Sequence, residues 1–286
     1  MKLHHLNPHP VRPKTVVVVG AGGFIGGSVA RALMNDGVNT VPISRREIDF
    51  LDNSAAVKFQ SVVQGADALV VALAEAPCKD SSVLVRNIQM LDPIASVIGE
   101  MANLHVVYIS SDAVYADSSS VLHEDSCCTP TTIHGVMHLA REIMLGLAVK
   151  SPLAIVRPTM VFGDDDSHNG YGPNRFKREA VNNETIRLFG EGEELRDHVW
   201  VNDVTAIIAG ILYKRSAGVV NAVTGEVNSF REIASMIVNN LHSASTIEAS
   251  ERTVPMPHNG YRAFDNSLLR EAFPEITLTT LSDVYS

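Results

Sequence analysis

"TVVVVGAGGFIGGSVARALMNDG", residues 15–37, decides the first unit of the fold. The valine run is short and β-branched, as suits a strand buried on both faces. Gly20, Gly23 and Gly26 follow, and Ile25, Val29 and Leu33 then recur at helical spacing until Gly37 ends the pattern. In a strand, glycine turn and helix of this kind, missing side chains permit a tight turn. They also let a pyrophosphate approach the N–H groups that open the helix. The spacing is GxxGxxG, not GxGxxG, so the weight of the motif lies in its neighbours.

Further apolar runs lie at "TVPIS" (40–44), "ALVVALA" (68–74), "HVVYISS" (105–111) and "LAIVRPT" (153–159), separated by enough chain for crossover helices. The alternation predicts an α/β fold, a doubly wound parallel sheet of the Rossmann type. Pro42 predicts a strand end or irregularity. From residue 162 the chain turns polar in "FGDDDSHNGYGPNRFKREAVNNE", and strand rhythm is expected again only at "GVVNAV" (218–223). The expected organisation is a flexible tail over 1–13 and a dinucleotide-binding domain over 14–158 with a return at about 197–223. A smaller C-terminal lobe takes 159–196 and 224–286. Within it "NSFREIASMIVNNL" opens a helix, with Ser229 and Glu232 at capping-box spacing and Ile233, Ile237 and Leu241 as its apolar stripe.

The chain has 286 residues, 45% of them hydrophobic, enough for a full core. A net charge of −9 argues against a nucleic-acid footprint and for a small-molecule partner. Three cysteines, Cys78, Cys127 and Cys128, give neither a disulfide framework nor a paired zinc motif. No signal-peptide core and no run of about 18 apolar residues is found, so no membrane segment is expected and a cytoplasmic location is inferred. The run Asp164 to Asp166 reads as a solvated loop.

The end of the second strand chooses between cofactors. A carboxylate there accepts from ribose hydroxyls, whereas arginines pair with a 2′-phosphate. "ISRRE" places Ser44, Arg45 and Arg46 at that point and favours NADP over NAD, with Glu47 as the opposing feature. Asp49, after a third strand-like segment, is positioned for the adenine amino group.

These motifs, with "VVALAEAP", Asn87, "ISSDAVY", "IVRPTMVFG", "YGPNRF" and "RDHVWVNDV", resemble the extended short-chain dehydrogenase/reductases over residues 15 to 240. That family includes sugar-nucleotide epimerases, dehydratases and dTDP-4-dehydrorhamnose reductases. The resemblance implies cofactor contacts from Gly20, Gly23, Phe24, Ile25, Gly26, Ala72, Leu73, Ala74 and Asn87, and a nucleotide-sugar in the smaller lobe. It makes Ser111 the hydroxyl that bonds the reacting sugar oxygen and adds Asp112, matching an acid of the dehydratase and reductase branches, to the catalytic set. Ala113 stands where 4,6-dehydratases carry a glutamate, and Met160 replaces a common asparagine. Tyr171, Asn174 and Arg175 border the implied sugar site. Arg196 is the implied diphosphate partner, its planar fork suited to two phosphate oxygens. Pairing through the helix that contains "LAREIMLGLAV" implies a homodimer.

The family's YxxxK motif falls on "HGVMH", so His134 takes the tyrosine position and His138 the lysine position, where the cofactor ribose is bonded. Four residues make about one helical turn, which keeps both rings on the cleft face. An imidazole with pKa near ~6.5 can exchange a proton at neutrality, unlike a tyrosine near ~10. Three readings follow: a repurposed catalytic pair, an NAD(P)-binding regulatory protein with impaired catalysis, or an HxxxH metal or packing pair completed by Asp112 or a cysteine.

Overall fold

In the computed structural model, which describes residues 2–166, 169–253 and 255–285, the valine run is an interior strand of a sheet. Val16 and Val18 enter one core and Val17 and Val19 the other, the period-two alternation of a strand covered on both faces. This strand, β2 (Thr15–Val19), follows a two-residue β1 (His4–His5) and leads into α1 (Phe24–Asn35). Then come β3 (Asn39–Ile43), α2 (Ala55–Val63), β4 (Ala68–Val71), α3 (Ser81–Ile98), β5 (His105–Ile109), α4 (Ile133–Ala148) and β6 (Leu153–Pro158). The chain enters the second lobe through β7 (Met160–Phe162), α5 (Pro173–Val181), β8 (Ile186–Phe189) and β9 (Leu195–Trp200). It returns with α6 (Val201–Tyr213) and β10 (Ser216–Ala222), and closes with β11 (Val227–Ser229), α7 (Phe230–Asn240), β12 (Ile247–Ser250), β13 (Tyr261–Arg262), α8 (Ser267–Ala272) and α9 (Leu281–Tyr285).

The main sheet has the order β1-β10-β6-β5-β4-β2-β3 and is parallel except for β1. Residues of α1, α6 and α8 fill one face, and residues of α2, α3 and α4 the other. The strand order reverses beside β2, where β3 lies to one side and β4 to the other. That arrangement opens a crevice beyond the carboxyl ends of the strands. The lobe has its own core of Phe162, Phe176, Ile186, Phe230, Ile233 and Ile237. Ser229 and Glu232 complete the capping box expected of α7.

Four expectations change. Residues 2–13 are not a loose tail: β1 pairs with β10, Leu3 is buried, and His5 bonds Ser216 Oγ at 2.7 Å and the Ala272 carbonyl at 2.9 Å. A proline- and histidine-rich composition carries no information about the open sheet edge that takes the segment up. Pro42 lies within β3, tolerated because β3 is the opposite edge and needs no second ladder. The segment before Asp49 forms no strand but turns back on Ser44. Strand structure resumes directly at β7, where pairs of short lobe strands stabilise one another without a long apolar run.

Candidate functional site

The cleft is built from what its glycines lack. A Cβ at Gly20 would lie 2.6 Å from the Ala72–Leu73 backbone, and one at Gly26 would lie 2.3 Å from the Gly20 carbonyl oxygen. Both are demanded by close packing of loop, helix and strand. Gly23 is different: a Cβ there meets nothing nearer than 3.4 Å, so its absence serves access to the α1 N-terminus. No side chain caps that terminus and no acidic residue occupies its first turn, which leaves its N–H groups and dipole to an anion.

One cavity of about 360 Å³ runs from Gly23, Phe24, Ile25 and Gly26 to Ser111, His134, His138, Tyr171 and Asn174. A second, of about 600 Å³, is lined by Gly20, Ser44, Arg45, Arg46, Asp49 and Leu73. Gly23, Ala72 and Ala74 border both, so the two form one cleft around the glycine loop. A bare cradle over a helix N-terminus with a cavity on each side fits a dinucleotide. At the second cavity's rim Arg45 pairs with Asp49 at 3.0 Å. Glu47 accepts from the Ser44 hydroxyl and N–H, and these bonds hold its carboxyl below the usual range.

Asn87, expected to touch the cofactor, lies behind the loop instead. Its side chain bonds the N–H and carbonyl of Glu75 at 2.9 and 3.0 Å and is fully buried. Arg141 adds a second brace from α4, donating to the Leu73 carbonyl at 2.5 Å beneath the Tyr108 ring.

At the chemical end, α4 is drawn against the turn after β5 because Gly135 has no side chain; a Cβ there would overlap the Ala113 carbonyl at 2.0 Å. This contact brings His134 beside Ser111 in the first cavity. Ser111 Oγ accepts from the Ala113 N–H at 3.1 Å and donates to Asp112 at 3.3 Å. Asp112 itself is spent: it pairs with the buried Arg262 of β13 at 2.8 Å and does not line the cavity. Its expected catalytic place is corrected to that of a clasp between sheet and lobe.

The two histidines do share the cleft face, their rings edge to face with centroids 4.8 Å apart. His134 Nδ1 accepts from the Cys78 N–H at 3.3 Å. His138 Nδ1 lies 3.0 Å from the hydroxyl of Tyr108. Burial pushes the Tyr108 pKa up to about 12, so a protonated phenol faces the neutral His138 ring. With its Nδ1 accepting from a backbone N–H, the neutral His134 ring carries its proton on Nε2. Burial lowers the pKa of His134, against the opposing charge of Asp112. It lowers that of His138 much further, helped by the charges of His134 and Arg141.

α4 is fastened by a buried network one turn beyond: Glu142 takes Arg157 in a two-bond pair at 2.9 and 2.6 Å and the Ser110 hydroxyl at 2.5 Å. On the lobe side the expected ligands divide. Tyr171 and Asn174 line the cavity, but the Asn174 amide bridges the Gly163 N–H and Asp166. Arg175 pairs with Glu179 and lies outside the lining. Arg196, expected at a diphosphate, is 5% exposed, with its guanidinium bonded to Glu194 at 2.9 Å and to the Pro257 carbonyl at 2.5 Å. That expectation is corrected, since a buried arginine already matched by a carboxylate is a structural pair. Residues not foreseen from the motifs are Tyr108, the Cys78 N–H, Arg262 and His198, which also lines the cavity. Only Tyr108 left a usable signal, a polar-tipped ring beside Val106, Val107 and Ile109 on a buried strand.

A family model described as "NAD dependent epimerase/dehydratase family" matches residues 16–224. The fold is that of a UDP-glucuronic acid 4-epimerase from Bacillus cereus, solved with UDP-glucuronic acid and NAD. The TM-score is 0.81 at 19% identity, over 94% of this chain and 96% of that one. An NAD dependent NDP-hexosamine 5,6-dehydratase involved in tunicamycin biosynthesis gives 0.81 at 17% identity, over 94% and 95%. A UDP-glucose 4-epimerase from Thermus thermophilus, complexed with NAD, gives 0.77 at 16%, over 95% and 97%. The glycine cleft, the Ser111 turn and the match across both agree: the chain belongs to the NAD dependent epimerase/dehydratase family of extended short-chain dehydrogenase/reductases.

Proposed function

We propose that this protein is an NAD(P)-dependent oxidoreductase or epimerase of a nucleotide-linked sugar, working through Ser111 and a neutral histidine pair. The observation that carries the reading is the pair's geometry: both rings line the cavity with Ser111, His138 Nδ1 is paired with the Tyr108 hydroxyl, and His134 Nδ1 already accepts from the Cys78 N–H, which leaves its Nε2–H for ligands. Gly23 and the α1 N-terminus hold the pyrophosphate, and His138 bonds the ribose. The bound nicotinamide supplies the hydride acceptor or donor.

Ser111 orients the substrate oxygen. His134 meets the same oxygen as a neutral donor, a form that stabilises charge developing on a carbonyl or alkoxide oxygen. To take a proton during oxidation, Nε2 must present a lone pair, which moves the ring's own proton to Nδ1 and releases the long Cys78 bond. His138 replaces a positioning amine without its fixed charge.

NADP is the proposed cofactor, with Arg46 at the 2′-phosphate, since Arg45 is engaged by Asp49; NAD is the comparison ligand. Val136, Ile143 and Leu147 form an exposed stripe on α4, which supports a homodimer through that helix. Leu147→Glu is expected to yield a monomer in light scattering. Among the described residues no helix is long and apolar enough to cross a membrane, and the proposed setting is the cytoplasm.

Calorimetric titration with NADP and NAD, followed by single-turnover hydride transfer on a nucleotide-sugar panel, tests the reading. His138→Ala is expected to weaken cofactor binding. His134→Ala should keep binding and slow hydride transfer by about 10²–10⁴; unchanged transfer refutes the assignment. The same loss of fixed charge favours one second reading, an NAD(P)-binding regulatory protein with impaired catalysis. Tight binding without turnover on any substrate selects it.

A further inference from the structure

The lobe contributes one wall residue that the reading above leaves unused. His198 stands on β9, paired in register with Met160 of β7, and lines the cavity that holds Ser111, His134 and His138. It is 2% exposed. Its Nδ1 lies 3.2 Å from the Arg196 carbonyl, which can only accept, so Nδ1 carries the ring proton. Nε2 therefore presents a lone pair, and it has no hydrogen-bond partner among the described residues. Phe230 holds the ring edge to face, with centroids 5.8 Å apart. Gly172 borders Nε2 with bare backbone; a Cβ there would be 3.9 Å away. Burial pushes the His198 pKa down to about 4, which keeps the ring neutral around pH 7.

The tautomer is the reverse of that at His134. That ring carries its proton on Nε2, while His198 keeps a lone pair there. A buried acceptor is unfavourable until a donor reaches it, and a site built this way discriminates strongly against ligands that lack the donor.

We propose that His198 Nε2 accepts a hydrogen bond from a substrate hydroxyl and selects a hydroxylated ring over one that presents a carboxylate, fluorine or bare methylene at that point. The proposal deepens the nucleotide-sugar reading and rests on the cleft being the substrate site.

The test uses the full chain labelled with 15N-histidine, with and without NADP. UDP-glucose and its monodeoxy analogues are the probes, and methyl glucopyranoside serves at high concentration. The His198 signals show the Nδ1–H tautomer and are told from those of His258, whose Nδ1 faces Asp117 at 2.5 Å, by the loss of the latter in His258→Gln. UDP-glucose is expected to move the Nε2 resonance upfield. His198→Phe is expected to bind UDP-glucose roughly tenfold more weakly with NADP affinity unchanged. One deoxy analogue should lose the same factor on the wild type and nothing further on the variant. Bound UDP-glucose with an unmoved Nε2 resonance overturns the proposal, and the wild-type spectrum suffices for this should His198→Phe fold poorly. If NADP binds and UDP-glucose does not, the nucleotide-sugar reading fails. The glucoside then decides His198 alone: a shift sustains the acceptor role and no shift overturns it.

Discussion

Replacing Glu142 by Gln removes one charge from the centre of the molecule while keeping side-chain shape. Arg157 meets both carboxylate oxygens, and both side chains are only 6% exposed. Burial disfavours the arginine's charge, but Glu142's hydrogen bonds and charge override it and raise the Arg157 pKa above its ordinary value. The Tyr115 ring, 4.8 Å from the guanidinium, gives only partial compensation. An exposed pair of this kind contributes about 0–1 kcal/mol, whereas breaking a buried one costs about 3–5 kcal/mol, because the remaining charge has no water. Glu142→Gln is therefore expected to lose about 3–5 kcal/mol in urea unfolding, seen as a lower midpoint at unchanged slope. Arg157→Met alone should cost a similar amount, and the double variant much less than the two together. A loss below about 1 kcal/mol for Glu142→Gln, the range of solvated pairs, would refute the argument. So would strict additivity. Because the same carboxylate takes Ser110 beside Ser111, cofactor affinity should fall with stability.

Three further outcomes follow from the same coordinates. Burial holds His105 and His198 at about 4, against ~6.5 unfolded, so their stabilisation is full above pH ~6.5 and is lost as pH falls toward 4. Asp197, pushed up by burial to about 6, gains in the opposite direction; the histidines outweigh it, and roughly 2–3 kcal/mol should disappear between pH 7 and 5, unless urea midpoints at the two pH values coincide. Gly26→Ala places a methyl 2.3 Å from the Gly20 carbonyl oxygen and is expected to lower thermal stability by about 1–3 kcal/mol and to abolish tight NADP binding in calorimetry. Arg46→Ala should weaken NADP about tenfold and leave NAD unchanged; equal losses for both would place Arg46 away from the 2′-phosphate.

The parallel sheet was legible because Thr15–Val19 and Ala68–Val71 are uninterrupted β-branched or aliphatic runs and His105–Ile109 carries Val106, Val107 and Ile109. The lobe was less so. Its strands are two to six residues long and pair across distant segments, as when β7 meets β9 and β8 meets β12, so no local period reveals them. The site shows the same division. Gly20, Gly23 and Gly26 were readable because a tight loop between strand and helix needs bare backbone, for packing at Gly20 and Gly26 and for access at Gly23. Arg196 was misassigned because chemistry alone makes any arginine a phosphate ligand, and only the fold brings Glu194 and the Pro257 carbonyl onto it.

For the histidines, spacing gave the shared face and could not give the proton positions. Those depend on Tyr108, 30 residues before His138, and on the Cys78 N–H, 56 residues before His134. Once these partners are in place, the chemistry narrows. A lysine at position 138 would bring a fixed charge into a pocket that also holds the fully buried Arg141, three residues along α4. A neutral imidazole avoids that repulsion, and the Tyr108 bond aims it. Burial also lowers the pKa of His134, so the ring poorly holds a proton taken from a hydroxyl. The cleft is therefore better arranged to stabilise negative charge on an oxygen than to strip a proton from a hydroxyl. Hydride transfer to a carbonyl should accordingly be faster, relative to its reverse, than in an otherwise equal site with an ionisable phenol and a lysine, and restoring that pair with His134→Tyr and His138→Lys would shift the ratio of the two single-turnover rates toward oxidation.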